Sequence, residues 1–116
     1  MKIGNSTYNL AIKFENEGFF KVAFPLFLEC FKDEKIDRGD LLFHCGWCAE
    51  QSSEIEKHKA IEYYLRAGEM CDNIITKMNS YFRAGWIFLH DQKYKDAITA
   101  FKYAIETGHQ EAEFAR

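Results

Sequence analysis

Proline is almost absent from this chain, with Pro25 alone among 116 residues, and glycine is modest at seven. That scarcity excludes collagen-like and flexible-linker sequences and argues against a turn-rich all-β fold. Long apolar runs are missing as well. The most apolar short stretch, Ala84 to Leu89, falls far below the ~18–20 residues that cross a bilayer. There is no basic excess: 15 Lys and Arg stand against 18 Asp and Glu, a net charge of −3. Neither nucleic acid nor an anionic membrane is therefore the expected partner. Met1 to Thr7 hold no apolar core and no small-residue cleavage pattern, so they do not read as a secretory signal. Asn5-Ser6-Thr7 matches a glycosylation acceptor, which has no meaning without export. Cys30, Cys45, Cys48 and Cys71 fall inside apolar-periodic segments rather than loops. They read as small buried residues in a reducing compartment, not as a disulfide frame. The expected location is the cytoplasm.

What is abundant is aromatic. Eleven Phe, six Tyr and two Trp make up 16% of a chain with an otherwise ordinary 47% apolar and 28% charged balance. A single domain of this size has limited interior, so part of that set is expected on a surface.

The pattern repeats. Phe20 to Phe27, Lys57 to Tyr64 and Tyr94 to Phe101 align on Ala23, Ala60 and Ala97, which are 37 residues apart in both steps. Each Ala is followed four residues later by an aromatic (Phe27, Tyr64, Phe101) and three further on by a small residue (Cys30, Ala67, Ala104). Ahead of each lies a partner segment: Thr7-x2-Leu10-Ala11-x2-Phe14, Leu42-x2-Cys45-Gly46-x2-Ala49 and Tyr81-x2-Ala84-Gly85-x2-Phe88. Apolar residues at i, i+3, i+4 and i+7 are the helical period, and no stretch alternates long enough to suggest a strand. The chain reads as all-α: six helices in three antiparallel pairs. Small residues at Gly46, Gly85 and the three alanines would let helix axes approach closely, with the bulky residue one turn along filling the neighbouring gap.

Punctuation fits that division. Gly18 breaks the first pair and Asp91-Gln92-Lys93 the last. Ser53-x-x-Glu56 has the form of a capping box opening the fourth helix, Asp72 or Asn73 can cap the fifth, and Gly108 suits a left-handed C-terminal cap. Pro25 predicts either a local kink or a later start for the second helix.

These residues resemble the tetratricopeptide repeat, W-x2-L-G-x2-Y followed by A-x3-F and a closing Pro. Tyr81 to Ala104 is the nearest match. Thr7, Leu42 and Tyr81 stand where the family has Trp, the closing Pro is missing, and the spacing exceeds the usual 34. The resemblance implies one domain over residues 1–116, an α-solenoid of right-handed superhelical form with repeats near 5–33, 40–71 and 74–107. It also implies a scaffold that binds proteins rather than an enzyme, without cofactor. Glu106 to Ala112 looks like the junction of the related Sel1-like repeats. Residues 109–116 then read as a cap or as the start of a further helix.

In the family the first helix of each pair lines a concave groove. Carried over by register, this gives rows Tyr8, Phe43, Phe82; Ile12, Trp47, Trp86; and Glu15, Glu50, Leu89. The implied site is an aromatic strip of Tyr8, Ile12, Phe43, Trp47, Phe82 and Trp86, with His44 and Arg83 adding polar contacts. Its partner would be a protein or peptide with apolar side chains; self-association is a further expectation. The bland alternative has the same rings holding neighbouring helices together. The carboxylate clamp of chaperone-tail-binding members fits poorly: of Tyr8, Ile12, His44, Asn79 and Arg83, only Arg83 matches. Glu15, Asp40 and Glu50 would repel such a tail.

Cys45-x-x-Cys48 could be a redox pair or half a zinc site, but no strand context and no second close pair accompany it. No metal site is expected. His58, His90 and His109 read as solvated, and Lys57, Lys59, Lys93, Lys95 and Lys102 as a solvated outer face. Two rivals stay open: an accessory region of a larger enzyme or longer array, and a small metal- or thiol-dependent protein.

Overall fold

Two helices open on side-chain caps that satisfy backbone donors otherwise left without partners. Asp37 accepts from the Asp40 N–H at 3.1 Å, and Asn73 accepts from the Thr76 N–H at 3.0 Å. The computed structural model describes residues 3–53 and 55–114, with side chains for 6–53 and 55–108. Among the described residues there are six helices and no strand: α1 Ile3–Asn16, α2 Phe20–Cys30, α3 Arg38–Gln51, α4 Lys57–Met70, α5 Ile74–His90 and α6 Tyr94–Phe114. Each packs mainly on the helices before and after it in the chain, and α3 also touches α5. The molecule measures 42 × 37 × 22 Å with a radius of gyration of 14.6 Å, near the ~13 Å of a compact chain this long.

The small-residue landmarks are all buried. Ala23, Ala60 and Ala97, and their followers Cys30, Ala67 and Ala104, lie within the core. One buried cluster joins α1, α2 and α3 through Ala11, Ala23, Phe27, Cys30, Leu41, Cys45 and Cys48. A second joins α3 to α6 through Ala49, Ala60, Ile61, Tyr64, Ala84, Ile87 and Ala100. The predicted crossings are tight. A Cβ on Gly46 would come within 2.8 Å of the Tyr64 ring, and one on Gly85 within 2.7 Å of the Phe101 ring.

The turns after α1 and after α5 close in the same way. After α1, Gly18 donates to the Glu15 carbonyl at 3.0 Å and Phe19 to the Phe14 carbonyl at 2.8 Å. After α5, Gln92 donates to the Leu89 carbonyl at 3.0 Å and Lys93 to the Phe88 carbonyl at 2.9 Å. Both are Schellman closures with a left-handed residue, Gly18 at φ 86° and Gln92 at φ 62°. They lie 74 residues apart, twice the alanine spacing. Phe14 and Phe19 add the apolar contact of that motif, edge to face at 6.2 Å. Glutamine pays a steric penalty in the left-handed region that glycine does not. Gln92→Gly is therefore expected to stabilise the chain by about 0.5–1 kcal/mol, after the entropy glycine adds to the unfolded state; a raised urea midpoint at unchanged slope checks it.

Two local expectations fail, and of the two outcomes expected at Pro25 the later start is not found. The fourth helix does not open on a Ser53 capping box: Glu56 itself occupies the cap position with no side-chain bond, so it cannot serve as the box's third helical residue. Pro25 does not delay the second helix, which starts at Phe20 and runs through it, with the proline ring exposed. Gly108 does not end α6, which continues to Phe114. Its bare Cα faces Met78, whose Sδ would stand 3.2 Å from a Cβ there. Close approach, not a turn, accounts for that glycine. Residues 109–114 continue α6 rather than starting a separate helix. The side chains of Glu54, of His109 and of the 111–116 turn lie outside the described set.

Candidate binding face of the first helices

The residues that the register assigned to a groove sit on α1, α3 and α5, in two different environments. On the α1–α3 side they are tied into the structure. Tyr8 is half-buried; its hydroxyl donates to Asp40 Oδ2, and its ring meets Phe27 edge-on at 6.0 Å. Burial, with the Asp40 bond next, pushes the Tyr8 phenol well above its ordinary range. Ile12 packs half-buried against the first core cluster. His44 lies flat on Phe27, with ring centroids 4.7 Å apart, and its Nδ1 is 2.9 Å from Glu15 Oε2. Asp40 Oδ1 approaches His44 Nε2 at 3.6 Å from the same helix. Phe43 leans on Tyr64 at 5.7 Å.

The α3–α5 side repeats the tie with stronger chemistry. Arg83 grips Glu50 with both ends of its fork, Nε donating to Oε1 at 3.0 Å and the terminal nitrogen to Oε2. The fully buried Tyr64 donates its hydroxyl to the same Oε1 at 2.7 Å. A bidentate, charge-assisted pair of this kind is the strong class of hydrogen bond. It raises the Arg83 pKa, the Glu50 bond outweighing desolvation. The Tyr64 phenol is also driven far up, by burial first and by Glu50 second. Above this pair the Arg83 guanidinium covers the half-buried Trp47 ring, 5.6 Å from its centroid.

Glu15–His44 and Glu50–Arg83 are therefore one device used twice. A carboxylate near the end of one helix, α1 or α3, meets a nitrogen-bearing side chain two helices on, His44 of α3 or Arg83 of α5. Sequence reasoning placed all four residues on the face but missed the pairing. It counted Glu15 and Glu50 as repulsive charges; the structure neutralises Glu50 with Arg83 and sets Glu15 against His44. The signal was present as two acidic and two basic residues at matched register positions. Asp40 and Tyr64 were missed as partners for the same reason.

What remains open lies on α5. Phe82 is 45% exposed and Trp86 38% exposed. They stand one helical turn apart, with centroids 6.1 Å from each other, and both rest edge-on against Phe101 of α6. His90 continues the line, 6.1 Å from Trp86. A small cleft of about 160 Å³ opens between Glu50, Lys57, Ala60, Ile87, His90 and Asp91, and His90 is common to the cleft and the ring line. The strip expected over three helices is thus concentrated on one, with Trp47 under Arg83 at its border.

The thiols are poor candidates for chemistry. Burial, then the neighbouring Cys30 and Glu15, pushes Cys45 up to about 12, and burial and Glu15 push Cys48 up further. A nucleophilic or metal-binding cysteine needs the thiolate at neutral pH, and this setting opposes it. Cys48 Sγ instead points at Glu15, 3.7 Å away. Among the described residues no group of three or more His, Cys, Asp or Glu is placed to hold a metal ion, and no helix is long and apolar enough to cross a membrane. Lys57, Lys59, Lys93, Lys95 and Lys102 are exposed, as are His58 and His90. No protein-family model matches the chain, and no curated protein is similar to it.

Proposed function

We propose that this chain is a stack of three helical hairpins of the tetratricopeptide kind, a non-catalytic scaffold that holds an apolar peptide segment of a partner protein. The observation that carries the reading is the pair Phe82 and Trp86: two large rings exposed side by side, backed by Phe101, on the helix face that the register assigns to the groove. Aromatic anchors on a rigid backing are the usual centre of a protein interface. The repeated cross-ties, the matched hairpin closures and the 37-residue spacing support the hairpin stack. Buried free thiols support a reducing, cytoplasmic setting. Trp47 and Arg83 would border the peptide; Tyr8, Phe43 and His44 serve mainly to position α1 against α3.

Panning a random peptide display library against the intact chain tests this. Enriched peptides should carry apolar side chains and change tryptophan emission. Phe82→Ala with Trp86→Ala should weaken them at least tenfold with the helical circular dichroism retained. Equal binding by the double variant would place the site elsewhere. A library that yields no enriched sequence would remove the reading.

A further inference from the structure

The interface that joins one hairpin to the next has an open half at each end of this chain. On α4, Ile61 is 8% exposed and Gly68 is buried beneath α5, while Tyr64 is buried between α3 and α5. Ile61 and Tyr64 share the second core cluster with Ala84 and Ile87 of α5, and the Tyr81 ring fits over Gly68 so closely that a Cβ there would come within 2.6 Å of it. Thirty-seven residues on, the same three positions on α6 are Ile98, Phe101 and Ile105. Ile98 is 54% and Ile105 59% exposed. The opposite end mirrors this. Leu10 of α1 holds the register place of Cys45 and Ala84, each fully buried under the preceding second helix, yet Leu10 is 44% exposed.

We infer that a second copy of this chain covers α6, laying its α1 where α5 lies on α4, so that copies join head to tail. This rests on the repeat register proposed above. The occupant follows from continuity with the internal interface and from side-chain size. Inside the chain a glycine on the second helix (Gly68) receives a tyrosine from the first (Tyr81). At the open ends the bulk has changed sides: Ile105 stands in the glycine's place, and Thr7 in the tyrosine's. Such a contact is heterologous and does not close, so it generates chains of copies rather than a fixed dimer.

Sedimentation velocity of the intact protein, from low micromolar to near-millimolar concentration, reads the outcome. The weight-average mass should climb from 13.6 kDa without levelling at a dimer. Ile98→Glu and, independently, Ile105→Glu should give monomers, and so should Leu10→Glu, all with unchanged circular dichroism because these side chains are exposed. An equimolar mixture of Ile98→Glu and Leu10→Glu retains one intact end of each kind and should stop at a one-to-one pair. A wild-type chain that stays monomeric throughout, or a Leu10→Glu variant that still dimerises through α6 alone, overturns the inference. Failure of the register itself would show separately, as glycine-crossing variants with parental stability. The peptide face on Phe82 and Trp86 can succeed or fail on its own.

Discussion

Tyr64→Ala is expected to cost about 4 kcal/mol, close to the largest loss any single truncation in this chain should give. Tyr64 is the bulkiest of the fully buried side chains. Its ring sits against Gly46 and Phe43, and its hydroxyl closes the Glu50–Arg83 tie. Truncation therefore opens a cavity and removes a donor from a carboxylate whose side chain is only 16% exposed. The two parts can be separated. Tyr64→Phe keeps the ring and leaves Glu50 paired with Arg83, so it should cost only about 2 kcal/mol, the net worth of a hydrogen bond to a charged group. Urea unfolding of both variants checks the division. Comparable losses would mean that the hydroxyl, rather than the ring, holds α3 against α4 and α5.

That single residue also shows what the chain's order of amino acids could and could not convey. Tyr64 was placed by its spacing from Ala60, and the matching Phe27 and Phe101 by theirs, because one helix turn is a local relation. The six helices and the turns at Gly18 and Gln92 were legible for the same reason. The cross-ties were not. Glu15 meets His44 across 29 residues and Glu50 meets Arg83 across 33, distances set only once neighbouring helices have a fixed tilt and offset. The groove residues divided along that line. A register names Tyr8, Phe43 and Phe82 as one row, but exposure depends on what stands beside each. Tyr8 finds Asp40 and Phe43 finds Tyr64, whereas Phe82 meets ring edges of Phe101 and the equally open Trp86 and stays exposed. Gly108 misled because glycine serves both turns and close contacts, and only the neighbour, Met78, tells which.

Gly46→Leu should rival Tyr64→Ala, costing about 3 kcal/mol or more, while Gly85→Leu should cost nearer 1–2 kcal/mol. Both sites leave too little room for a Cβ, at 2.8 and 2.7 Å from a ring. The difference lies in what that ring can do. Tyr64 is wholly buried and held at its far end by Glu50, so α3 and α4 must part to admit the new side chain. Phe101 is half-buried, and its ring edges lie against the exposed Phe82 and Trp86, so it can swing toward solvent. The gain in helix propensity on replacing an interior glycine, roughly 0.5–1 kcal/mol, offsets part of the smaller loss and little of the larger. The pair Gly46→Leu with Tyr64→Ala then provides a direct test of the crossing. The space left by the ring is where the leucine would go, so the double variant should be more stable than the sum of its single losses by at least 1 kcal/mol. Strict additivity in urea would mean that residues 46 and 64 do not share a contact, and that α3 and α4 cross somewhere else.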